Sequence, residues 1–127
     1  MRIEVSNGEL LDKFCILQIK KDKIKGHKLD NVLKEWKYLK KKVDSLRGEL
    51  DIKIIDEIFL LMAELVLMNA RLWDIEDELR KCEKNEDFGD RFVSLARQVY
   101  ITNDKRSNIK KQINLITESK FTEEKSY

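Results

Sequence analysis

The chain has 127 residues, enough for one domain with one sizeable core. Charged residues make up 39% and hydrophobic ones 42%, with no proline and four glycines, so sandwiches and barrels, which need proline and glycine at their turns, give way to an all-helical fold. The net charge of +2 is unevenly spread: residues 20–47 hold 11 Lys+Arg against 4 acids, and residues 48–90 hold 5 against 13. Such polarity serves either as two weakly attracting helix faces or as a nucleic-acid footprint on the basic stretch.

"MRIEVSNGE" at the start lacks the apolar run of a signal peptide. The longest apolar stretch, "IFLLMAELVLMNA", is broken by Glu64 and Asn69 and is too short to span a bilayer. Two cysteines, Cys15 and Cys82, are too few for a disulfide scaffold and read as reduced thiols. These features together predict a soluble, cytoplasmic protein.

The first predicted helix covers about residues 7–25. Ser6 and Glu9 have the S-x-x-E spacing of a capping box, in which each side chain satisfies a free backbone N–H of the other. Leu10, Phe14 and Leu17, widened by Leu11, Ile16 and Ile19, form its apolar face, and Gly26 is the expected stop. A second helix is predicted over about 29–47. Leu29, Val32, Trp36, Leu39, Val43 and Leu46 follow the alternating steps of three and four that mark a packed seam, and Arg47-Gly48 ends it. A third runs over about 52–84 with a broad stripe that includes Ile58, Phe59, Leu65, Val66 and Leu72. The fourth is expected over about 89–118, with Leu95, Val99, Thr102, Arg106, Ile109, Ile113 and Ile116 on its seam. Residues 119–127 are a tail that frays unless Phe121 and Tyr127 dock.

The simplest assembly is a four-helix antiparallel bundle made of two helical hairpins, the 3–4 hairpin being the longer. Apolar surface on helices 3 and 4 then projects past the first hairpin and predicts a homodimer through that surface.

One zone breaks the apolar seam of the long hairpin. About the turn near residue 86, Asn69 and Asn103 are equidistant and should face each other, with Trp73 near Val99 and Glu76 near Arg97. Arg106 occupies a seam position that suits Leu or Ile. Unpaired polar groups at such places cost about 1–3 kcal/mol each, so they pair with one another, line a solvated pocket, or lie exposed. As a layer they fix helix register, as a single seam Asn does in coiled coils. As a pocket, Trp73 and Tyr100 are aromatic walls, Arg97 and Arg106 hold a small anion, and Asn69, Glu76 and Asn103 complete the lining.

Other chemistries find little footing. The one histidine, His27, rules out paired E-x-x-H metal motifs and leaves Cys/His or Ser/His/Asp catalysis without a neighbouring nucleophile. Asp74, Asp77 and Glu78 are weak candidates for a hard cation of the kind helical pyrophosphohydrolases use, but the facing E-x-x-E is missing from helix 2. No metal and no cofactor is expected. Lys34, Lys37, Lys40, Lys41 and Lys42, beside Trp36 and Tyr38, keep a nucleic-acid-binding helical module open, although Trp36 sits on the seam and suits the core better.

"GELLDKFCILQIKKDKI", "ARLWDIEDELRKCE", "FVSLARQVYITNDKRSNIKKQIN" and the closing "EEKSY" together resemble a family of small helical proteins of bacteria and marine phages, known as a domain of unknown function. "NARLWDIED" followed by "NDKRSNIK" is similar to a second helical family without assigned activity. The resemblance implies a link to cell-envelope sugar metabolism, because such genes tend to lie beside glycosyltransferase or surface-polysaccharide genes. It carries no catalytic residues. The expected function is that of an interaction or accessory protein without its own catalysis.

Overall fold

A computed structural model describes residues 1–118, which form four α-helices and, among those residues, no strand. They are α1 (Asn7–Lys23), α2 (His27–Glu49), α3 (Ile52–Lys84) and α4 (Asp90–Ile116). The tail expected at 119–127 lies outside the described residues.

Helix starts are set by local chemistry. The Ser6 Oγ accepts from the Glu9 backbone N–H at 3.1 Å, and the Asp51 carboxylate accepts from Ile54 N–H at 3.1 Å. The expected reciprocal half of the capping box is replaced, since the Glu9 carboxylate reaches across to Lys110 at 2.7 Å. Gly26 is not the stop of α1, which ends at Lys23; with φ of +75° it forms the N-cap of α2, a left-handed conformation suited to glycine. Nor does Arg47-Gly48 end α2, which runs on to Glu49 and leaves only Leu50 and Asp51 before α3.

The four helices form a bundle in which α1 packs against all three others. Asn7 meets Thr117, Gly8 meets Asn114 and Asp12 meets Arg106, so α1 runs antiparallel to α4. α2 lies on the outer side of α1, where Trp36 stacks on Phe14 with ring centroids 5.8 Å apart. The arrangement follows from α1 having more than one apolar face. Leu11 and Cys15 join Ile58, Leu65, Ile109 and Ile113 in the core, while Phe14 turns toward α2.

On α3 and α4 the predicted seams hold at Ile58, Leu65, Leu72, Thr102, Ile109 and Ile113, all buried. Phe59 and Val66, placed on the same stripe by periodicity, instead face outward, at 72% and 38% exposure. None of the helices, among the described residues, is long and apolar enough to cross a membrane.

Candidate functional site

The polar zone exists, but its centre is a residue that the hairpin arithmetic passes over. Asp12, fully buried on α1, accepts from Asn69 Nδ2 of α3 at 2.9 Å and from Arg106 of α4 through Nη2 at 2.6 Å and Nε at 3.0 and 3.1 Å. Lys110 Nζ stands 3.9 Å from the same carboxylate and 2.7 Å from Glu9. A buried carboxylate is tolerable only when donors replace its hydration shell, and here a guanidinium fork, an amide and an ammonium do so.

The zone continues as a ladder between α1 and α4. Asn114 Oδ1 accepts from the Gly8 backbone N–H at 2.7 Å, and Asn7 Nδ2 donates to Thr117 Oγ1 at 2.9 Å. Close approach at Gly8 is what allows this: a Cβ there would stand 2.5 Å from the Lys110 carbonyl oxygen. Cys15, one turn beyond Asp12, points its thiol toward the Met62 carbonyl at 3.9 Å. Burial, and then the Asp12 charge, push that thiol up from 9.0 to about 12. The Ser107 hydroxyl is buried without a partner, and the structure offers no reason for it.

Of the seven residues expected around a pocket, three are in this network. Asn69 and Asn103 do not bond each other. Asn69 donates to Asp12, whereas Asn103 Oδ1 accepts from Arg106 Nη1 at 3.1 Å, so the two amides are joined through the Asp12–Arg106 pair. Trp73 is half-buried, with Lys23 Nζ 5.9 Å from its ring. Glu76, Arg97 and Tyr100 lie on the exposed surface, because a shift of one position on each helix turns them from the seam to the outside.

Among the described residues no three His, Cys, Asp or Glu side chains converge as metal ligands would. Asp77 pairs with Arg80 at 2.6 Å, Glu78 pairs with Lys81 at 3.0 Å and with Arg91, and Asp74 is exposed. Those two cations also hold the Glu78 carboxyl below its usual range. Lys34, Lys37, Lys40, Lys41 and Lys42 are all exposed on α2, with Lys40 paired to Asp44 at 3.0 Å and Lys42 lying 5.4 Å from the Tyr38 ring centre.

Two further features were outside the expected site. One is the outward face of α3, where Ile52, Phe59, Ala63, Val66 and Leu67 fall within roughly a third of the helix circumference, with Leu60 at its edge and Asp56 among them. Phe59, Leu60 and Leu67 are 72%, 68% and 68% exposed. The other is an apolar groove of about 340 Å³ between α1, α2 and the start of α3, with Trp36 and Phe59 on its walls. The Trp36 Nε1–H beside it is buried without an acceptor.

Residues 1–127 match a family of unknown function, DUF6165, and the chain belongs to it. Neither the curated proteins nor the solved structures gave a match.

Proposed function

We propose that this family member is a cytosolic helical interaction protein without its own catalysis, and that it works as a homodimer joined through the outward face of α3. The observation that carries this reading is the apolar stripe of Phe59, Val66 and Leu67 on a face that none of the other three helices covers. Contiguous apolar faces of that kind mark association surfaces rather than ordinary solvent contact. α4 also carries exposed apolar side chains, Ile101 and Leu115.

The polar ladder supports the non-catalytic part of the reading. Asp12 bonds Asn69 and Arg106, and Arg106 bonds Asn103, so one network ties three helices together as a register device does. Free, buried thiols at Cys15 and Cys82 accord with a reducing compartment.

Light scattering on the purified full chain tests the association. A dimer is expected at high micromolar concentration, and Leu60→Glu with Leu67→Glu should yield a monomer of unchanged helicity. A wild-type chain that stays monomeric at that concentration sinks the reading, as does a dimer indifferent to both charges.

A further inference from the structure

The groove between α1, α2 and α3 is separate from the outward face, although Phe59 borders both. We infer that it binds the hydrocarbon chain of a single-chain carboxylate, a fatty acid or an acyl group ending in a carboxylate, with the head held at Arg47. Its volume of about 340 Å³ is at the low end of small-molecule pockets, which run from about 300 to 1,000 Å³. That leaves room for a chain of roughly ten to twelve carbons and not for a folded partner. Its lining is mostly hydrocarbon, with Phe14 on α1, Val43 and Leu46 on α2, and Ile58 and Met62 on α3, while Gln18 and Trp36 add polar atoms.

The rim supplies the charge. Lys40, Asp44 and Arg47 are the ionic groups on it. Lys40 and Asp44 pair at 3.0 Å and cancel, whereas Arg47 is exposed and forms no ion pair among the described residues. The helix that carries the rim, α2, is itself basic, with 7 Lys+Arg against 4 acids. An apolar slot with one unspent guanidinium at its mouth complements an alkyl chain that ends in an anion. A cationic or uncharged amphiphile would meet the same walls without the same mouth.

Isothermal titration of the full chain with laurate, below its micelle concentration, tests this. Saturable one-to-one binding is expected, weakening about fourfold for each methylene removed. Arg47→Glu is a surface change that spares the fold and should weaken binding roughly tenfold. Dodecylammonium should bind the wild type worse and the Arg47→Glu chain better. Val43→Trp, which fills the slot, should abolish binding; if that variant misfolds, the chain-length series and the charge reversal still decide. Equal binding of laurate and dodecylammonium overturns the proposal. So does the absence of saturable binding, including the case in which a second copy of the chain occupies the groove. Leu60→Glu with Leu67→Glu should leave laurate binding intact, so failure of the dimer and failure of the groove are separately visible.

Discussion

Replacing Asp12 by asparagine removes the charge at the centre of the bundle while keeping nearly the same volume. In the wild type its two oxygens accept from Asn69 and three times from Arg106, through Nη2 and a shared Nε–H, and Lys110 stands 3.9 Å away. The substituted amide would offer one acceptor oxygen and turn an NH2 group toward donors, removing the Asp12 charge from beside the guanidinium. Breaking one side of a buried ion pair costs about 3–5 kcal/mol. Two features reduce that figure here. The Arg106 side chain is 24% exposed and can recover some hydration, and Lys110 keeps Glu9 at 2.7 Å. A loss of about 2–4 kcal/mol remains, which for a domain of this size lowers Tm by roughly 10–15 °C. Thermal and urea unfolding followed by helical circular dichroism measures it, with m unchanged if the native fold survives. Arg106→Gln alone and with Asp12→Asn completes a cycle whose coupling should be about 1–3 kcal/mol. A Tm drop under about 3 °C, or coupling under about 0.5 kcal/mol, refutes the claim that this carboxylate organises the interior.

Two more changes separate the close-packed places from the open ones. Gly8→Ala should destabilise by about 1–3 kcal/mol despite alanine's better helix propensity, because its Cβ would stand 2.5 Å from the Lys110 carbonyl. Gly48→Ala meets nothing within 4 Å and should stabilise by about 0.5–1 kcal/mol, so urea midpoints of the two variants should move in opposite directions. Cys15 gives a pH signature. Its folded thiol keeps a proton up to about 12 while the unfolded one releases it near 9.0, so the native state binds more protons in that window. Its contribution is therefore whole below pH 9 and is lost as pH rises toward 12. Between about pH 8 and 10.5 the stability of the wild type relative to Cys15→Ala should fall by roughly 1–2 kcal/mol, and native-state thiol labelling of Cys15 should track unfolding. A pH-independent difference would contradict the burial of the thiol.

Periodicity revealed the helices because each carries its own seam. Ile58, Leu65 and Leu72, like Thr102, Ile109 and Ile113, recur at helical spacing whatever they pack against. It was weaker where a helix has several neighbours. α1 is enclosed by three others, so its apolar residues are spread around the axis, and the face drawn through Leu10, Phe14 and Leu17 shows only one of its sides. Hairpin arithmetic had the same limit. It pairs Asn69 with Asn103 because it counts positions within one hairpin, and the partner that decides the geometry comes from the other one.

A usable signal was nonetheless present in the sequence. Gly8, Asp12, Cys15 and Ile19 are spaced as one buried stripe, and an aspartate in such a stripe is as misplaced as Asn69 on α3 or Arg106 on α4. Three misfits on three helices, one anionic, one cationic and one amide, can be reconciled in a single dry interior only if they meet. Matching seam misfits across all helices by charge, rather than by distance from a turn, leads to the Asp12–Arg106–Asn69 cluster. The same reasoning separates the roles within the molecule. Polar residues that meet inside tie α1, α3 and α4 to one another. The surfaces proposed for association and ligand are apolar ones that lack a partner among the described residues, Phe59 to Leu67 outside and the slot beside Arg47.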